Sequence, residues 1–278
     1  MTVLAFTSVV ALGSFCAGLL GALTGLGGGI VVVPLLTVLL HVDLRYAIGA
    51  SLVSVIATSS GAAAAYVREG YTNIRVGIFL EVATTIGALV GATIAGMIPT
   101  SALGILFGIM LLHSAYRMFR SNDDHPPSTA PDPLATRLRL NSSYPTFAGM
   151  QSYAVEGVLP GFGLMLVAGV LSALLGIGSG VVKVLAMDRT MRLPFKVSTT
   201  TSNFMIGVTA AASAGVYLHR GYIEPVVALP VMTGVLTGAL VGARLLTTAS
   251  TRWLRVLFTV VVVVLAVEML YKGASGAL

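Results

Sequence analysis

The chain has 278 residues, of which 56% are hydrophobic and only 9% charged, with a mean hydropathy of +0.95. So little polar surface cannot coat a globule in water, which excludes an ordinary soluble domain and makes lipid the expected solvent. The formal net charge of +6 gives no case for nucleic acid, because the basic residues fall mostly in short loops between apolar runs and so report membrane topology.

The first half reads as five apolar segments, roughly 3–23, 28–41, 46–67, 76–97 and 101–119. Met1 to Leu23 lacks the basic start of a secretory signal and runs straight into the next apolar run, so it is expected to be a membrane helix. Cys16 within it is the only cysteine, which excludes an internal disulfide or a thiolate metal cage. The segment at 28–41 would rise only ~21 Å as a helix, against a hydrocarbon core of ~30 Å. Its opening, Gly25-Leu26-Gly27-Gly28-Gly29, is therefore expected below the membrane surface. The next segment carries Ser51, Ser54 and Thr58. Glu81, Asp188, Arg244 and Glu268 lie at or near segment ends; Glu81 and Arg244 could pair across the cytoplasmic half or move protons, but residues close to the headgroups read as solvated anchors, and no coupling role is assigned.

Between the halves, residues 120–160 carry Asp123, Asp124 and prolines at 126, 127, 131 and 133, which reads as a flexible polar linker. The second half, 161–278, again gives five segments, roughly 161–175, 180–190, 198–218, 225–247 and 253–271. Shifting the chain by 151 residues lays one half on the other. Gly18, Gly25, Gly27 and Gly29 fall on Gly169, Gly176, Gly178 and Gly180, and the string at 87–92 recurs unchanged at 238–243.

An odd number of segments per half turns the second repeat upside down. With this count Arg68, Arg75, Arg117, Arg120, Arg137, Arg139, Arg189, Arg192, Lys196, Arg244, Arg252 and Arg255 share one face, while Arg45, Arg220 and Lys272 share the other. The positive-inside rule then places the linker in the cytoplasm and both termini outside. The expected fold is an all-α membrane protein of two inverted repeats, 1–119 and 161–278, whose glycine-broken short helices meet inside the bilayer.

Each glycine turn is followed by a helix, so unpaired N–H groups and a positive dipole end point into the membrane interior. Two such ends approaching from opposite sides suit an anion. Close packing of helices is the plainer account of the same glycines, but packing alone does not require two breaks. The candidate cargo-binding residues are Gly25, Gly27, Gly28 and Gly29 in the first turn, and Gly176, Gly178, Ser179 and Gly180 in the second. Lys183, Asn203, Ser51 and Thr201 complete the set.

Two readings of Lys183 stay open: a charge added to the dipole end, or a side chain that snorkels toward the cytoplasmic loop near Asp188. The hydroxyls in 198–203 and at Ser51, Ser54 and Thr58 either line a polar path or bond back to their own helices. No catalytic residue, cofactor or metal is expected. The expected partners are a small anion and membrane lipid, and a homo-oligomer is left open.

The stretches Gly18 to Pro34 (GLLGALTGLGGGIVVVP), Gly169 to Gly180 (GVLSALLGIGSG) and Thr201 to Arg220 resemble the sulfite exporter TauE/SafE family, also called the TSUP permeases. The resemblance covers both halves and excludes the linker. It implies transport of sulfite or an organosulfonate across a bacterial inner membrane, in the exporting direction. The chain departs from the usual second motif at Ser179, where glycine is common, and at Leu185, where proline is common. An alternative is an anion channel, or a permease for another carboxylate or inorganic anion. An intramembrane serine hydrolase using Ser179 and His219 lacks a GxSxG motif, and a scaffold without cargo does not need two buried glycine turns.

Overall fold

In hydrocarbon every backbone N–H and C=O must be satisfied within the protein, and a run of Ala, Leu, Val and Gly does so by coiling into helix. The computed structural model describes residues 3–24, 29–68, 70–120, 132–146, 149–245 and 251–276. The first part consists of α1 (Val3–Thr24), α2 (Gly29–Pro34), α3 (Leu44–Arg68), α4 (Ile74–Ala95) and α5 (Thr100–Arg120). After a short α6 (Pro133–Arg137) and a hairpin of β1 (Ser142–Thr146) and β2 (Gly149–Tyr153), the chain returns to long helices. These are α7 (Val158–Leu175), α8 (Gly180–Leu185), α9 (Phe195–His219), α10 (Pro225–Leu245) and α11 (Thr251–Ser275).

The protein is an all-α membrane protein. Among the described residues, three helices are long and apolar enough to span a bilayer: 74–95, 158–175 and the first 18 residues of α10. Outward-facing apolar side chains run along them at helical spacing, as Ile78, Val82, Ile86 and Val90 do on α4. A row of this kind is stable against lipid and not against water.

Helices α2, α3, α4 and α5 begin at 29, 44, 74 and 100, and α8, α9, α10 and α11 begin 151 residues later, at 180, 195, 225 and 251. The match extends to detail. Both short helices pass into a single π-helical turn, Leu35–Leu39 and Ala186–Thr190, and both then turn through a left-handed residue, His41 (φ 53°) and Arg192 (φ 51°). Pro34 precedes the first π turn and Leu185 the second, so the π turn does not depend on proline.

The helices pair across the halves: α1 packs on α10, α7 on α4, α3 on α9, and α5 on α11. Repeated glycines let the backbones touch. A Cβ on Gly169 would run into the Thr84 carbonyl, and one on Gly87 into the Leu166 carbonyl. Gly18 and Gly238 meet the carbonyls of Val235 and Phe15 in the same way. Packing thus accounts for this part of the glycine pattern.

The linker is more structured than its composition predicts. From Asp132 onward it folds: the Asp132 carboxylate accepts from the Leu134 N–H (2.8 Å) and from the Val158 N–H (3.2 Å), tying the start of α6 to the start of α7. Asn73 caps α4 through its Oδ1 (Val76 N–H, 3.1 Å) and donates through Nδ2 to the Leu140 carbonyl and the Tyr153 hydroxyl, both at 2.8 Å. Tyr153, Leu140 and Ala135 are buried in one cluster with Val76 and Leu80 of α4. The hairpin is therefore docked on the end of the helix pair. The Pro-rich and acidic residues 121–131 lie outside the described residues.

Candidate substrate site at the crossing of two glycine turns

The first short helix opens at Gly29, fully enclosed. A Cβ there would lie 2.8 Å from Val55 Cγ2, 3.0 Å from Ser51 Oγ and 3.4 Å from the carbonyl oxygen of Gly176 in the other half. Gly180 opens the second, and its Cβ would lie 3.0 Å from Ile206 Cδ1 and 3.7 Å from Ser202 Oγ. Val55 and Ser51 on α3 hold the same places as Ile206 and Ser202 on α9, so one crossing of α3 and α9 supports the starts of both short helices. Continued through its π turn, each short helix rises roughly 16 Å, about half of a bilayer core.

Ser51 joins the halves. Its hydroxyl lies 2.7 Å from the Gly176 carbonyl and 3.5 Å from that of Gly29, and Ser202 Oγ lies 3.4 Å from the Gly180 carbonyl. The second turn needs left-handed backbone at Gly176 (φ 67°), Gly178 (φ 71°) and Ser179 (φ 49°). At Ser179 that conformation costs about 1–2 kcal/mol, offset by a buried hydrogen bond from its hydroxyl to the Ala168 carbonyl on α7 (2.6 Å). The hydroxyl is thus engaged by the protein itself. His219 is exposed at the far end of α9, whereas Ser179 is 2% exposed.

Lys183 is fully buried. Its ammonium does not turn toward Asp188 but donates to Thr209 Oγ1 on α9 at 2.6 Å, and Thr209 in turn donates to Glu81 Oε1 on α4 at 2.7 Å. Thr85 Oγ1 reaches the same carboxylate oxygen at 3.3 Å. The reading of Glu81 as a solvated anchor is corrected: the residue is only 9% exposed, and its Oε2 is buried without a hydrogen-bond partner among the described residues. The sequence offered a signal, since Glu81 is one of ten acidic residues and stands two turns inside an apolar run. What it could not show was that this face of α4 meets α9.

The remaining candidates divide. Thr201 Oγ1 accepts from the Asn73 N–H at 3.0 Å, so it ties α9 to the start of α4. Asn203 is half-buried one turn from the glycine crossing. Ser54 and Thr58 bond back to α3 carbonyls, and Thr200 to those of α9, the structural outcome expected of hydroxyls in apolar helices. Gly25, Gly27 and Gly28 lie outside the described residues.

The model of one family, described as sulfite exporter TauE/SafE, matches residues 10–269, which takes in both halves and the linker. The chain belongs to the TauE/SafE family. Membership makes it an integral membrane transporter and covers both glycine turns and the Glu81–Thr209–Lys183 chain. Its relatives carry names of the same breadth. "Probable membrane transporter protein YunE" of Bacillus subtilis is 25% identical over 97% of this chain and 99% of its own length. "Probable membrane transporter protein YdhB" of the same organism is 28% identical over 83% of this chain and 86% of its own. A "Probable membrane transporter protein" of Xylella fastidiosa is 25% identical over 93% and 91%. No solved structure matches this TauE/SafE chain.

Proposed function

We propose that this protein is a secondary transporter of a small sulfur-containing anion, sulfite or an organosulfonate, that alternates access around the two glycine turns and works in the exporting direction. Its halves are inverted repeats in a bacterial inner membrane, with the linker in the cytoplasm and both termini outside. The family description supports the cargo class, and the distribution of Arg and Lys supports the orientation.

The observation that carries the reading is where the start of α2 meets the other half. Gly29 faces the left-handed backbone at Gly176, Gly178 and Ser179, with the Ser51 hydroxyl 2.7 Å from the Gly176 carbonyl, inside an apolar bundle where only a cavity or a binding site tolerates non-helical backbone. Two helix starts direct N–H groups toward this crossing, an arrangement that favours negative charge. Sliding one half against the other would separate Ser51 from Gly176 and re-form the contact on the opposite side.

Thermal unfolding of purified protein with sulfite, sulfoacetate, taurine, sulfate or acetate tests the cargo class, since a ligand bound only by the folded state raises Tm. The expected result is stabilisation by sulfite or sulfoacetate and none by acetate or taurine, the latter carrying no net charge. Equal shifts with all anions, or a shift with acetate alone, would move the cargo to another anion class.

A further inference from the structure

We infer that Glu81 carries a proton that accompanies the anionic cargo, so that each anion crosses with one proton. This rests on the anion-transport reading above and adds the coupling ion to it.

Lys183 and Glu81 form a neutral pair joined through Thr209. An anion that uses the ammonium must either share it with a carboxylate already present or find that carboxylate neutralised. Two negative charges around one ammonium in a buried site are strongly disfavoured.

The carboxylate is prepared for the second course. Both hydroxyl donors, Thr209 and Thr85, reach Oε1, while Oε2 is buried with no partner among the described residues. A buried carboxylate oxygen without a donor is costly. A proton on Oε2 removes that cost and leaves Oε1 free to keep its hydroxyl partners. It also releases Lys183 to face a new anion.

Among the described residues the surroundings offer no rival group. Helix α7 carries no titratable side chain. Of those on α9, Lys196 lies over the Tyr71 ring at 4.0 Å, Tyr217 donates to the Ala173 carbonyl at 3.0 Å, and His219 is exposed at the opposite end. Asp188 and Arg189 sit in the π turn beyond α8. Arg75 reaches the Arg139 carbonyl at the start of α4, and Tyr153 is bonded to Asn73 there. Among the described residues, Lys183 is the only charge bonded into the Glu81 chain.

The step balances. A proton from water on the loading side adds to Glu81 Oε2 as the anion takes its place beside Lys183, which stays an ammonium throughout. On the other side the anion leaves, the proton returns to water, and the Lys183–Thr209–Glu81 contact re-forms. For a monovalent anion the cycle moves no net charge. Because the proton travels with the anion, an outside-acid gradient opposes export, so the cycle runs in the exporting direction only where the outward anion gradient exceeds the inward pH gradient.

The test uses proteoliposomes and whichever of methanesulfonate and sulfoacetate the parent exchanges, because neither titrates near neutral pH as sulfite does. With acid outside, the parent should accumulate methanesulfonate roughly tenfold per unit of pH gradient and acidify a trapped dye as it does so. A potassium diffusion potential alone should drive no accumulation of methanesulfonate, whereas sulfoacetate, a dianion, should respond to it. In Glu81→Gln the accumulation driven by the pH gradient should be lost when measured relative to the variant's own exchange of labelled for unlabelled anion.

Acid-driven accumulation equal to the parent's in Glu81→Gln, or a parent indifferent to the gradient, overturns the coupling while leaving the transport reading intact. No exchange of either sulfonate by the parent overturns the organosulfonate reading and this inference with it. Should Glu81→Gln lose exchange as well, the parent's affinity decides. Weakening of roughly tenfold per pH unit above the titration of Glu81 supports one co-bound proton, and a pH-independent affinity contradicts it.

Discussion

At the scale of single residues, the least expected feature is a buried carboxylate, hydroxyl and ammonium in line through three helices. Removing one charge from such a pair strands the other in a medium that cannot solvate it, at a cost of about 3–5 kcal/mol. Glu81→Ala and Lys183→Ala should each lower Tm steeply in detergent. The double variant Glu81→Gln with Lys183→Met should recover most of the loss, and additive losses would show that the two charges are not energetically coupled. Ser51→Ala removes a hydroxyl bridge between the halves and should cost about 1 kcal/mol, with a larger effect on anion exchange than on Tm. The sequence placed Lys183 in the first turn of the second short helix, at the position that matches Val32 in the first half. It did not show the direction of the side chain, since periodicity assigns a residue to a helix face but not that face to a neighbour. Glu81 was misplaced for the same reason.

At the scale of elements, the segments were legible because the bilayer imposes a length and glycine marks each break. The short helices at 29 and 180 and the long ones after them begin where the apolar runs do. The hairpin was not legible: Ser142–Thr146 is a half-polar strand containing proline, without the alternation that announces a strand. Its stability comes from docking through Asn73 and Tyr153, which are distant in sequence. Asn73→Ala loses the cap on α4 and both linker contacts, so proteolysis within 132–157 should accelerate while the transmembrane helices remain protected. Unchanged cleavage would show that the hairpin is held by other contacts. Close helix contacts make a second, sharper prediction. Gly169→Val and Gly87→Val press a side chain against a facing carbonyl and should destabilise by about 1–3 kcal/mol. Gly163→Ala, with nothing within 4 Å of the added Cβ, should leave Tm almost unchanged.

At the scale of the whole molecule, the pairing of each half's first helix with the other half's fourth means that neither half buries its own faces alone. The bundle is closed only by exchange, and the starts of both short helices lie where α3 and α9 cross. Relative motion at that crossing changes the surroundings of both turns together, which is what a single site exposed alternately to two sides needs. Orientation is checked by single cysteines in a Cys16→Ser background: one introduced in the linker should be labelled by an impermeant reagent only after permeabilisation, and one at Ser275 from outside intact cells. The most direct test of the central claim is uptake of labelled sulfite or sulfoacetate by protein in sealed vesicles, measured against concentration without ATP. Uptake should be saturable, stimulated by unlabelled anion inside, and abolished in Gly178→Val, which forces a side chain onto φ +71° and into Ile206. Uptake that rises linearly with concentration, or that survives this substitution undiminished, would contradict an alternating-access site at the glycine turns.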